Sequence, residues 1–161
     1  MKRMIALLIL VPCLCLVSCA KAQYTNDVSC TDLCNKASEM LSDGLEYTEY
    51  DASHRKFYFD DTEDYDDCCL IYSTDTANIN EIGVFHAPNE DAARDVEEDC
   101  FEYIEQMREG ERAFIASYAP GELPKLDGAT VSRFGRYVVY IIVPTDKRTS
   151  VLGAIEDMLR K

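Results

Sequence analysis

The 161-residue chain is short of positive charge: 16 Lys and Arg stand against 30 Asp and Glu, a formal net charge of −14. With so few cations there is no basic patch to displace counterions from phosphate, which argues against nucleic-acid binding. Electrostatic docking onto anionic lipid is disfavoured on the same ground. Histidine is scarcer still, at two residues, His54 and His86. No Gly-x-Ser-x-Gly elbow, no Cys-x-x-Cys pair and no glycine-rich phosphate loop occurs. Nucleophilic catalysis, paired-cysteine zinc binding and phosphate cradling therefore lack their signatures. Long apolar runs are missing too. Met4–Leu16 covers about 20 Å as a helix at 1.5 Å per residue, short of the roughly 30 Å a spanning helix must cross.

What that run does offer is a leader. Lys2 and Arg3 precede it, and it closes at Leu16-Val17-Ser18-Cys19. A charged start, an apolar segment and a small residue before cysteine form an export signal with a cleavage point. The last four residues resemble the bacterial lipobox. The resemblance implies removal of residues 1–18 and attachment of a diacylglyceryl group to the Cys19 sulfur. Two acyl chains anchor durably where one binds reversibly. An ordinary cleaved secretory signal and a permanent transmembrane helix are the competing readings; Pro12 and the run's length weigh against the latter. Residues 19–28 would form a polar, mobile tether reaching at most about 30 Å. The expected location is the outer face of the cytoplasmic membrane, with the membrane as partner through lipid and an envelope protein or ligand as the second.

Removing the leader takes away Lys2 and Arg3, leaving 143 residues with 14 basic and 30 acidic side chains, a net charge of −16. That length suits one domain, 29–161, able to bury about two thirds of its unfolded surface. The charge favours solubility and would attract cations. Cys13 and Cys15 leave with the leader. With Cys19 lipidated, Cys30, Cys34, Cys68, Cys69 and Cys100 remain, an odd number, so at least one thiol stays unpaired. Cys30 and Cys34 are spaced as i and i+4 on a helix, about 5–6 Å apart at Cβ, too far for a mutual disulfide at roughly 3.5–4.5 Å. Cys68 and Cys69 are adjacent on a strand and point to opposite faces. A bridge from the first helix to Cys68 or Cys69 is possible. Cys100 falls on an apolar helix face and reads as a buried thiol.

The hydrophobic periodicity predicts a helix over 29–41, with Leu33, Ala37, Met40 and Leu41 on one side. Residues 45–59 read as a hairpin or a short helix. Strands follow at 68–72 and 81–86 around a polar turn. Pro88-Asn89 opens the best helix, striped by Ala93, Val96, Cys100, Ile104 and Met107. Gly110 weakens or ends it, and Phe114, Ile115 and Tyr118 continue a packed segment. Strands 130–134 and 137–143 flank Gly135-Arg136, a two-residue link with glycine first. The second is apolar on both faces, as an interior strand is. Thr145 or Asp146 caps a final helix carrying Val151, Leu152, Ile155, Met158 and Leu159. The expected fold is α+β: a mainly antiparallel sheet of about four strands in ββαββα order, covered by helices, with an N-terminal helix.

Glu81-Ile82-Gly83-Val84-Phe85, the charged helix after it, Tyr118-Ala119-Pro120 and Gly135-Arg136-Tyr137-Val138-Val139 occur in that order. Together with the lipobox they resemble the domain of unknown function 4358 family of small Gram-positive lipoproteins. The likeness covers roughly 27–161 and is clearest from Tyr65. It implies fold and location and transfers no catalytic or ligand residue. Cys30, Cys34, Cys68 and Cys69 lie outside its motifs.

Three function classes remain. The leading expectation is a non-catalytic extracytoplasmic binding or accessory module of the cell envelope, without cofactor, catalytic residue or metal. The second is a redox or metal module on Cys30, Cys34, Cys68 and Cys69; zinc would recruit one of Cys68 or Cys69 and either His54 or His86. The third, an envelope enzyme, has least support, since no cysteine shows an obvious basic neighbour and Glu97, Glu98 and Asp99 do not converge. The acidic run 60–67 lacks the glycine and the spaced glutamate of a calcium loop. It reads as a solvated segment, with weak cation binding as the alternative. His86 reads as a surface or packing residue.

Overall fold

The computed structural model describes residues 22–59 and 64–161. The leader, Cys19 and the acidic residues 60–63 lie outside this range. The α+β expectation holds, with one strand more than expected. Five antiparallel strands, β1 (Tyr47–Glu49), β2 (Asp67–Ser73), β3 (Glu81–His86), β4 (Thr130–Phe134) and β5 (Tyr137–Ile142), lie in the order β1-β2-β3-β5-β4. The two hairpins join through β5, which pairs with β3 from Glu81↔Ile142 to His86↔Tyr137.

Period-two alternation divides the sheet residues between two layers. One face buries Cys69, Ile71, Ile82, Val84, Val139 and Ile141 beneath α1 (Cys30–Leu41) and α6 (Arg148–Leu159). The other sets Leu70, Phe85, Val138 and Tyr140 against α3 (Glu90–Gly110). Every residue of β3 and β5 is buried, as strands covered on both faces must be. At the β4–β5 turn Gly135 has φ +64° and Arg136 keeps a negative φ, the pattern of a glycine-first hairpin. Caps fix the long helices. Ser29 accepts from the Asp32 N–H at the start of α1, and Asn89 accepts from Asp91 and Ala92 at the start of α3.

Several elements differ from the sequence reading. Residues 45–59 form both a strand, β1 on the sheet edge, and a short helix, α2 (Ala52–Tyr58). In α4 (Arg112–Tyr118) only Ile115 is buried, while Phe114 and Tyr118 are exposed, because the helix is too short to be covered on more than one side. A further helix, α5 (Leu123–Asp127), follows a 3-10 turn at Pro120–Glu122. Neither Thr145 nor Asp146 caps α6; it starts after Lys147 without a side-chain cap, following a turn closed by Lys147 N–H on the Pro144 carbonyl at 2.9 Å. The polar stretch before α1 is held rather than loose from Gln23 onward. Thr25 N–H donates to the Leu159 carbonyl at 2.8 Å and Lys161 N–H to the Gln23 carbonyl at 2.9 Å. The Tyr137 hydroxyl ties down Val28, donating to its carbonyl at 2.6 Å. Among the described residues no helix is long and apolar enough to cross a membrane.

Candidate functional site: an aromatic cleft over a buried carboxylate

Two groups of chemistry-bearing residues lie on opposite faces of the sheet. On the α3 face the centre is Glu81, the first residue of β3 and 3% exposed. Its side chain shares a face with Gly83 and Phe85. Three phenols converge on it. Tyr140 donates to Oε1 at 2.6 Å, Tyr103 to Oε1 at 2.7 Å and Tyr50 to Oε2 at 2.9 Å. Gly83 makes this possible: the Tyr140 ring lies so close across β3 that a β-carbon at position 83 would sit 2.0 Å from its Cε1. Burial raises the pKa of Glu81, and the three phenol bonds act in the opposite sense. The phenols of Tyr50, Tyr103 and Tyr140 are in turn held up, first by burial and then by the glutamate charge. This is a buried carboxyl with both oxygens satisfied, as a buried polar group must be.

Tyr50 connects the network to solvent. Its N–H continues the β1–β2 ladder, donating to the Leu70 carbonyl at 2.9 Å. Asp51 then caps α2, accepting from the N–H groups of Ser53 and His54 at 2.9 and 3.0 Å. That cap folds the His54 ring onto Tyr50, with centroids 3.6 Å apart and planes within 3°. Tyr72 also stacks with Tyr50, at 4.2 Å. Tyr58 follows His54 at 4.9 Å and continues inward to Tyr103 at 5.0 Å. The outer residues, Tyr50, Asp51, Ser53, His54, Phe57, Tyr58 and Tyr72, line an open cleft of about 380 Å³. Burial lowers the His54 pKa, opposed by Asp51, so the ring is neutral near pH 7. Its Nε2 is buried and has no hydrogen-bond partner. The cleft offers ring faces, a carboxylate and a hydroxyl, and the unmatched imidazole nitrogen lies buried in its wall. Glu81 lies behind Tyr50 and forms none of its walls, so the arrangement suits stacking and hydrogen bonding.

Three of the five described thiols occupy the other face. Cys30, Cys34 and Cys69 belong to the core beneath α1, whereas Cys68 packs toward α3, so the adjacent pair points to opposite faces as expected. All five described cysteines are thiols. Cys30 Sγ donates to the Asp67 carbonyl at 3.5 Å and Cys34 Sγ to the Cys69 carbonyl at 3.2 Å. Asp67 leaves the acidic run to accept the Cys30 N–H at 2.9 Å, so this end of the run is structural rather than solvated. Cys68 has the basic neighbour the sequence did not reveal: Arg55 Nη1 lies 3.2 Å from its sulfur. Burial nevertheless raises the Cys68 pKa, outweighing the guanidinium. Cys100 is fully buried beneath α3.

The zinc arrangement is not assembled. Among the described residues no three His, Cys, Asp or Glu groups are placed to hold a metal ion. His54 lies in the cleft, and His86 sits at the far end of β3. There Arg136 Nη2 lies 2.8 Å from His86 Nε2, and Arg136 Nη1 donates to the Pro88 carbonyl at 2.7 Å. Burial, then the Arg136 charge, lowers the His86 pKa, so it is a packing residue that accepts from arginine. Glu97 pairs with Arg133 at 3.0 Å.

No curated protein and no solved structure matches the chain. Residues 45–143, from just before β1 to just after β5, match the family described as Domain of unknown function (DUF4358). The match contains the whole sheet, the cleft and the Glu81 network, and leaves α1 with Cys30 and Cys34 outside. On that match the chain belongs to the DUF4358 family.

Proposed function

We propose that the chain is a lipoprotein anchored through Cys19 at the outer face of the cytoplasmic membrane of a Gram-positive cell, where it binds a cell-envelope component without transforming it. The observation that carries the binding reading is the cleft itself: aromatic faces, Asp51 and Ser53 open to solvent, with the buried His54 Nε2 unmatched in its wall. A ligand hydroxyl or amide would give that nitrogen a partner once the His54 ring turned to meet it.

The tether geometry supports the same reading. Gln23 and Thr25 are pinned to the C-terminal end of α6, and the Tyr24 ring meets Phe134 at 5.7 Å beside the β4–β5 turn. Cys19 precedes Gln23 by four positions, a reach of about 14 Å. An acyl group there would hold the turn end of the sheet toward the bilayer. The cleft lies near Glu81, at the opposite end of β3, about 17 Å further out at 3.4 Å per residue. It would face the envelope.

A photoreactive residue at position 57, expressed in intact cells, tests the reading together with incorporation of a palmitate analogue. We expect one discrete adduct, lost in Tyr72→Ala, and label lost in Cys19→Ser. The same adduct pattern from exposed position 101 would refute the cleft, and an unlabelled cytosolic chain retaining Met1 would refute the anchor.

A further inference from the structure

We infer that Cys34 and Cys69 form a disulfide joining α1 to β2, a covalent site independent of the cleft. The positions are 35 apart in sequence. Helix α1 runs along β2 in step with it: Cys30 meets Asp67, and one helical turn later Cys34 meets Cys69. Four helical residues advance about 6 Å and two strand residues about 6.8 Å, so the register places one sulfur opposite the other. The Cys34 thiol donates to the Cys69 carbonyl at 3.2 Å, which brings the two residues into direct contact. Both are enclosed in the same apolar core, 0% and 2% exposed.

The alternatives are weaker on geometry. Cys30 shares the α1 face but is directed at Asp67. Cys68 faces the other layer beside Arg55. Cys100 belongs to α3, in the core across the sheet from α1.

The reaction is thiol–disulfide exchange with a small disulfide oxidant such as oxidised glutathione. Either thiolate can attack first in the undocked chain; written for Cys69, it attacks one sulfur of the oxidant. That step releases one glutathione thiolate and leaves a mixed disulfide. Cys34 then loses its proton, attacks the Cys69 sulfur and expels the second glutathione. The two cysteines lose two protons and two electrons, and the oxidant takes up both. Because neither sulfur is exposed, the exchange takes place while α1 is undocked, during folding or local opening.

The test is refolding of the reduced full-length protein in a glutathione redox buffer, followed by alkylation and non-reducing peptide mapping. Joined peptides containing Cys34 and Cys69 are expected, 2 Da lighter than the two reduced peptides together, and separated by reductant. The link should persist in Cys30→Ser and Cys68→Ser and vanish in Cys34→Ala and Cys69→Ala. Wild-type mapping alone decides if a variant fails to fold. Alkylation of both Cys34 and Cys69 in folded wild-type protein after oxidation would overturn the inference, as would a dominant link through Cys30 or Cys68. None of these outcomes depends on Cys19 or the cleft.

Discussion

Replacing Glu81 by Leu and by Gln tests the network behind the cleft from two sides. Leucine leaves the phenols of Tyr103 and Tyr140 without an acceptor, and these residues are 1% and 0% exposed. An orphaned buried donor costs about 1–3 kcal/mol, so Glu81→Leu should lose about 2–6 kcal/mol for the two. Tyr50, only half-buried, can recover a bond from water. Glutamine keeps an oxygen for Tyr103 and Tyr140 and turns its amide toward Tyr50, whose hydroxyl then accepts. It also removes a charge that burial opposes, so Glu81→Gln should stay within about 1 kcal/mol of the parent at neutral pH. The pH dependence separates the contributions further. Burial raises the folded Glu81 pKa above its ordinary value of 4.5. A carboxyl so shifted contributes its full stability below the unfolded value. It loses that contribution as pH rises through the folded value, because the native state must then ionise a buried group. The stability of wild type relative to Glu81→Gln should therefore be greatest in acid and decline from about pH 4.5 upward. Urea unfolding at stepped pH, followed by far-UV circular dichroism and tyrosine fluorescence, measures it; the chain has no tryptophan. A difference that grows with pH would show that the phenols hold the carboxylate ionised, refuting the balance argued above. Equal stability of the Leu and Gln variants would refute the network itself.

Gly83→Ala should cost about 1–3 kcal/mol by forcing the Tyr140 ring away; in Tyr140→Ala the same change should cost much less, a coupling that a double-mutant cycle reads directly. In the reduced protein, native-state alkylation should modify Cys68 before Cys30, Cys34, Cys69 or Cys100, because it alone among these thiols is not fully buried; mass spectrometry of the alkylated peptides would show Cys30, Cys34 and Cys69 modified first if α1 opened readily. The Cys34–Cys69 disulfide closes a loop of 35 positions. It should therefore add about 3–4 kcal/mol to stability in the chain-entropy account, seen as a lower denaturation midpoint after reduction and as no change in Cys34→Ala.

Much of the fold was legible because its signals are local. Gly135-Arg136 specifies a hairpin through backbone conformation at two residues. The α3 stripe repeats at helical spacing, and the doubly apolar β5 can only lie inside a sheet covered on both faces. Where local signals compete, the reading stopped short. Residues 45–59 carry aromatic anchors at both strand and helix spacing, and the structure uses both, β1 pairing with β2 and α2 folding back over it. The cap at Asp51 is the local signal that separates them, an Asp placed two and three residues before the N–H groups it accepts.

The site was illegible for a different reason. A glutamate opening an apolar strand reads as its solvent end, and nothing near position 81 in the chain says otherwise. Its partners lie 31, 22 and 59 positions away. Tyr103 sits three residues after Cys100 on the predicted α3 stripe, and could have been counted among the buried residues. That its hydroxyl needs an acceptor, and that Glu81 supplies one, follows only once β3 is packed beneath α3. The same holds across the sheet: i+4 spacing on α1 excluded a Cys30–Cys34 bond, and strand alternation excluded joint use of Cys68 and Cys69. Choosing Cys34 with Cys69 required knowing which turn of α1 lies over which residue of β2. Spacing eliminates pairs, while packing selects among those that remain.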